Sequence, residues 1–222
     1  WSAANNADRV CGVNIPSNIC WAACLMTAGS LFEQEDWVKK GMKMASHIKQ
    51  LAFDGKFFVD NLVRNQNGML IKTNHYSEVC QYYAFWFDIA DKHDYSELYE
   101  ELMERLGNRR VQGYLPEIEK PNAMYGIYMR LDLLMREGKK EQLYKECKDY
   151  FLKMAQRTGT LWENNFVNGS CVHGFASYAA KWLVFALCGF DVIEGKVTFP
   201  GGIGIKASFE IPRGNIKINV EN

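Results

Sequence analysis

Apolar helical segments alternate with amphipathic ones along most of this chain. That alternation constrains the fold more than any single motif. Residues 15–32 (IPSNICWAACLMTAGSLF) begin with Pro16, a first-turn residue, and carry small or apolar side chains nearly all round, the pattern of a buried helix. Residues 34–53 instead interleave Trp37, Val38, Met42, Ile48 and Leu51 with Lys39, Lys40, Lys43 and Lys49, which predicts a helix with one solvated face. The same contrast recurs. Segments 77–90, 121–136 and 172–188 are apolar on most sides; segments 96–106 and 140–156 are amphipathic, the latter with Glu/Lys pairs on its wet face. Ser77 and Ser96 are candidate N-caps, and Gly107 and Gly189 candidate stops. Between the second and third helices, 55–73 carries Asn67-Gly68 between apolar runs and reads as a short hairpin or an irregular loop.

Four buried-type helices, starting near residues 15, 77, 121 and 172, thus alternate with three amphipathic ones, at roughly 45 to 60 residues per pair. Repeated helical hairpins with one member inside and one outside are the signature of an α/α toroid, although a helical solenoid produces the same alternation. After Gly189 the character changes. Residues 196–222 are rich in β-branched residues, Gly and Pro, and Ile216, Ile218 and Val220 alternate with polar residues as in a half-buried strand. Pro212–Asn215 reads as the turn before it. The expected organisation is a helical-hairpin part over 1–190 and a β tail over 191–222. The tail either packs on the helices or is a remnant of a β-sandwich.

Composition narrows the partners. With 26 basic and 26 acidic residues the formal charge is zero, which gives no electrostatic reason to expect a nucleic acid or an anionic membrane. No run of 18 apolar residues is present to span a bilayer. The seven cysteines are odd in number and several lie in apolar helical runs, so they read as buried free thiols rather than a disulfide framework. Cys20 and Cys24 have no histidine pair to complete a zinc set, and neither a metal nor another cofactor is expected. The chain opens at Trp1 without an initiator Met, which reads as a piece of something longer and leaves the compartment open.

In a toroid the loops entering the inner helices line one mouth, and their polar residues are the candidate site. The first entry, 1–18, offers Trp1 as a stacking surface. The second offers His75, Tyr76 and Glu78 at a helix start, where Glu78 serves the positive helix end as readily as a ligand; Asp60 and Arg64 read as an ion pair. The third offers Glu117 and Glu119. The fourth, "GTLWENNFVNGSCVHG" over 159–174, holds Trp162, Glu163 and His173 together. A partly buried carboxylate beside a Trp is a plausible base for water, and an imidazole can orient it. On the residues alone, simple packing of Trp162 and a backbone bond from His173 explain the stretch equally well.

The stretch "GTLWEN" followed by "SCVHGFASYAAKWLVFALCG" resembles the end of the catalytic domain of bacterial α-L-rhamnosidases, with their T-x-x-W-E and S-x-x-H motifs and W-L…G close. "WSAANNADRVCGVNIPSN", "FVDNLVRNQNGMLIKTNHYSEVCQYYAFWF" and "FEIPRGNIKINVEN" are similar to other segments of that family, in order. The resemblance implies part of an (α/α)6 barrel of six helical hairpins and inverting hydrolysis of terminal α-L-rhamnosides, in the bacterial cytoplasm or periplasm. It implies Glu163 as general base, with Trp162, His173, Glu78 and Trp1 contacting or orienting the sugar. The sequence departs from the family in two ways. The linker between W-E and S-x-x-H is short, and the family's general acid lies upstream of the W-S segment, outside these residues. The expectation is therefore the C-terminal half of a barrel, inactive by itself and prone to self-association through faces left by missing hairpins. Another six-hairpin glycosidase or lyase, or a noncatalytic helical scaffold that binds carbohydrate or protein, is the alternative.

Overall fold

A computed structural model of the protein describes residues 11–165, 170–197, 203, 207–211 and 216–220. It is mainly helical, with seven α-helices and several short strands among these residues. Contacts divide the chain into two compact units, Trp1–Met129 and Arg130–Asn222, a division that falls inside the fifth helix.

In the first unit, β1 (Val13–Asn14) leads directly into α1 (Ile15–Leu31). The Asn14 side chain caps the helix by accepting the Ser17 amide at 3.0 Å, and Pro16 sits in the first turn, where no amide partner is needed. A three-residue link reverses the chain into α2 (Glu35–Ala52), whose acidic first turn and Lys49 in its last turn both suit the helix dipole. Two glycines let α1 and α2 approach closely. A Cβ at Gly41 would lie 2.7 Å from the Ala22 carbonyl oxygen, and one at Gly29 would lie 2.8 Å from the Val38 nitrogen. The helix over 15–31 is less enclosed than its composition predicts. It buries Ile15, Ile19, Ala22 and Leu25, but leaves Trp21 and Leu31 exposed.

The 55–73 segment resolves into a hairpin, β2 (Asn61–Arg64) antiparallel to β3 (Leu70–Lys72), with β1 on the other edge of β2. Its turn is organised by Asn65, whose side-chain oxygen accepts the amides of Asn67 and Met69. β4 (Tyr76–Ser77) pairs in parallel with β5 (Ile118–Glu119) and feeds α3 (Glu78–Trp86). Ser77 is the N-cap of α3, accepting the Cys80 amide at 3.1 Å. Ser96 is not the cap of α4 (Ser96–Glu104): Tyr95 holds that position and makes no side-chain cap bond, while the helix ends at Arg105, before Gly107.

α5 (Met124–Arg136) and α6 (Lys140–Thr158) are joined by a tight turn at Gly138, whose φ of +65° suits glycine. The predicted helix over 172–188 starts as a 3-10 turn, Gly174–Tyr178, and becomes α-helical only in α7 (Ala179–Cys188), which Gly189 closes in the left-handed conformation. α6 and α7 pack together within the second unit, burying Leu143, Met154, Trp182 and Phe185. Two antiparallel pairs follow: β6 (Phe190–Asp191) with β7 (Lys196–Val197), and β8 (Ala207–Ile211) with β9 (Ile216–Val220). The expected turn at 212–215 lies outside the described residues. All seven cysteines are free; Cys80, Cys147 and Cys188 are buried, whereas Cys11 and Cys24 are exposed. No helix among the described residues is long and apolar enough to cross a membrane.

Candidate functional site

The loop that holds Trp162, Glu163 and His173 begins where α6 stops. Gly159 takes a left-handed φ of +72°, and its amide closes the helix on the Ala155 carbonyl at 2.8 Å. The chain then runs outward through residues 160–163 and returns through 170–173. Two main-chain bonds join the arms: the Glu163 amide donates to the Ser170 carbonyl at 2.9 Å, and the His173 amide to the Leu161 carbonyl at 3.0 Å. A third crossing comes from the Thr160 hydroxyl, which donates to the Cys171 carbonyl at 2.5 Å. Residues ten apart in sequence are thereby brought to one loop base.

Within that frame the three predicted residues differ. Trp162 is buried, at 3% exposure, and its indole N–H donates to the Thr158 hydroxyl at 2.7 Å. The Arg157 guanidinium lies over its ring at 5.8 Å. Glu163 is half-buried, and among the described residues no group bonds its carboxylate. His173 is also half-buried; its ring meets Phe175 edge-on at 5.3 Å. Its Nδ1 is closed off from solvent and has no hydrogen-bond partner among the described residues. The packing explanation thus accounts for Trp162, for the His173 amide and for the His173 ring against Phe175, but among the described residues it gives the Glu163 carboxylate and the His173 Nδ1 no hydrogen-bond partner. Trp1 lies outside the described residues.

Glu78, in the first unit, has a different environment. Its side chain is completely buried at the start of α3. The Tyr82 hydroxyl donates to its Oε2 at 2.6 Å, the Gly107 amide donates to the same oxygen at 3.0 Å, and the Arg110 guanidinium lies 3.1 Å from Oε1. Around it, Asp60 accepts the Ser77 hydroxyl at 2.6 Å, and Gln81 grips the Phe58 backbone in both directions, at 2.9 Å each. Burial pushes the Cys80 thiol well up, and the nearby Asp60 charge adds to the effect. Arg64 donates to the Gly68 carbonyl at 2.6 Å. His75 Nδ1 meets the Asn61 side-chain oxygen at 3.1 Å. Glu117 and Glu119 are exposed.

The sequence reading did not single out the polar pairs inside the second unit. Arg130 and Glu146, both fully buried, meet as a fork, with Nε to Oε2 at 3.1 Å and Nη2 to Oε1 at 2.8 Å. Asp132 accepts the Trp182 indole at 2.7 Å and the Lys181 ammonium at 2.9 Å through one oxygen. Burial alone would lower the Lys181 pKa, but the Asp132 carboxylate outweighs it and raises the ammonium above its ordinary range. A charged residue inside a largely apolar helical run was the available signal for Arg130. Among the described residues, no cluster of His, Cys, Asp or Glu could hold a metal ion.

Neither a protein-family profile nor a curated protein matches the chain in sequence. A solved structure does match in fold: the GH78 family rhamnosidase of Bacillus sp. GL1, with a TM-score of 0.61 at 14% identity over 78% of this chain. The chain spans about a fifth of that protein's length, since the match covers 19% of it. At this identity the likeness is one of fold alone.

Proposed function

We propose that the loop over 159–174 is the catalytic loop of a glycoside hydrolase acting on terminal α-L-rhamnosides, and that Glu163 is its general base. The carrying observation is the contrast inside the loop: its arms are locked by main-chain bonds, while the Glu163 carboxylate has no partner among the described residues. The likeness in fold to part of a GH78 rhamnosidase supports the substrate class. In this reading the six-hairpin (α/α)6 ring is completed outside these residues. Trp162 fixes the backbone beneath the sugar, and His173 offers its imidazole to a hydroxyl.

The chemistry is a single displacement. Glu163 takes a proton from water as the water oxygen bonds to the anomeric carbon. The bond from that carbon to the leaving oxygen breaks on the opposite face, and a second carboxyl group gives the leaving oxygen a proton. Inversion places the two carboxyl groups roughly 6.5–9.5 Å apart, leaving room for the water. The resemblance puts the second group upstream of Trp1, so the chain alone is proposed to be inactive. Glu78, enclosed by Tyr82, Gly107 and Arg110, serves as a brace for its helix start rather than as a sugar contact. The exposed side chains of Trp21, Leu31 and Phe32 would favour self-association of the isolated chain, which sedimentation at rising concentration reads directly.

The test is turnover of an aryl α-L-rhamnoside by the parent protein carrying the upstream segment. Glu163→Gln keeps the shape and removes the base, so turnover should fall while the fold, read by circular dichroism, is retained. Wild-type turnover in that variant would sink the assignment and leave the binding-scaffold alternative standing.

A further inference from the structure

Four side-chain and main-chain groups at the loop base form a directed chain of hydrogen bonds. The Trp162 indole N–H can only donate, and it donates to the Thr158 hydroxyl at 2.7 Å. The Thr158 and Thr160 hydroxyl oxygens are 2.7 Å apart. The Cys171 carbonyl can only accept, and it takes the Thr160 proton at 2.5 Å. Each threonine has one proton. The Thr158 proton has acceptors close by in the Thr160 hydroxyl oxygen at 2.7 Å and the Met154 carbonyl at 3.2 Å. With Thr160 committed to Cys171, the shorter bond, between the two hydroxyls, is made with the Thr158 proton. With that bond made, the chain runs in one direction: indole to Thr158, Thr158 to Thr160, Thr160 to the carbonyl on the opposite arm.

We propose that Thr158 and Thr160 are positioning residues that hold the Trp162–Glu163 arm against the returning arm, and so set where the Glu163 carboxylate points. This inference rests on the assignment of Glu163 as base. The relay spans both arms: it starts next to Glu163 and ends two residues before His173. It is anchored in α6, whose last residue is Thr158. Neither threonine needs to touch the sugar. Their effect runs through the indole, which is buried and has little freedom once its N–H is held.

Two readouts test this on the parent protein. Thr158→Val keeps the shape but cannot accept the indole proton, and Thr158→Ser restores the hydroxyl. Hydrogen exchange of the Trp162 indole N–H, identified by loss of its signal in Trp162→Phe, should be at least about tenfold faster in Thr158→Val and return toward the wild-type rate in Thr158→Ser. On an aryl α-L-rhamnoside, kcat should fall about 10- to 100-fold in Thr158→Val and in Thr160→Val with KM nearly constant, as for a displaced catalytic group. Unchanged indole exchange in Thr158→Val overturns the relay. Wild-type kcat in both valine variants, with Glu163→Gln inactive, overturns the positioning role and leaves the base assignment intact. Wild-type turnover in Glu163→Gln overturns the base assignment, and with it the catalytic part of this inference.

Discussion

Glu78 and Glu163 are both carboxylates beside an aromatic residue at a loop that leads toward a helix, and the sequence offers little to separate them. The structure does. Glu78 is enclosed, with a hydroxyl, an amide and a guanidinium within 3.1 Å. Glu163 has its backbone held and its side chain unengaged among the described residues. A buried charge held by donors has much of its hydrogen-bonding capacity committed within the fold. A charge with a fixed backbone and an unengaged end is available for chemistry. The difference lies in where the hydrogen-bonding capacity goes, not in the residue type.

Substitutions can break that distinction, and the largest expected effect is catalytic. Glu163→Gln should lower parent turnover about 100- to 10,000-fold. It should shift stability by less than about 0.5 kcal/mol, since no described residue bonds the carboxylate. Glu78→Gln should do the reverse, destabilising by about 3–5 kcal/mol in a denaturant titration because Arg110 keeps a buried charge without its counterion. If Glu78→Gln instead spared stability and abolished turnover, the two carboxylates would have exchanged roles. Next in size is Gln81→Met, which leaves the amide and carbonyl of Phe58 without their side-chain partner; a loss of about 1–3 kcal/mol per stranded group is expected.

The smallest effect is in pH dependence. Burial pushes the Asp54 carboxyl up, but the Phe57 amide, the Tyr76 hydroxyl and the Lys56 amide outweigh it and hold it below the usual range. Burial and the bond to Asp54 push Tyr76 from 10.0 up to about 12. The depressed carboxyl contributes stability that is present above about pH 3.9 and lost as pH falls through its folded value. The raised phenol contributes stability that is present below about pH 10 and lost as pH rises toward 12. Tyr76→Phe should move the Asp54 titration midpoint upward in an NMR titration. An unmoved midpoint would show that the two side chains are uncoupled in solution.

What was legible in the sequence was local. Pro16, Ser77 and Gly189 mark helix boundaries because the chemistry of a cap is complete within a few residues; Asn67-Gly68 marked a hairpin or an irregular loop, and the structure forms the hairpin. Ser96 failed as a cap because the preceding turn, in which the Tyr95 amide bonds the Asp91 carbonyl, makes Tyr95 the boundary residue. The Trp162, Glu163 and His173 grouping was legible as a cluster. Its geometry was not, since it depends on bonds between arms separated by a loop. The Gln81 grip on Phe58 joins residues 23 apart, and the Arg130–Glu146 fork residues 16 apart. Glu146 sits in a segment whose charges read as a wet face, yet it is 1% exposed, because only its partner on α5 reveals which side of α6 faces inward.

The Arg130–Glu146 fork has a consequence for how the chain finds its structure. Apolar faces alone permit helices to slip past one another, since one leucine substitutes for another at the cost of small rearrangements. A slip of α6 by one helical turn would carry Glu146 about 5.4 Å along the axis. It would leave two ionised groups facing hydrocarbon, a state several kcal/mol worse. The expected consequence is a proofreading lock: the fork adds little to the correct alignment that a well-packed apolar pair could not, but it raises the cost of the neighbouring misalignments.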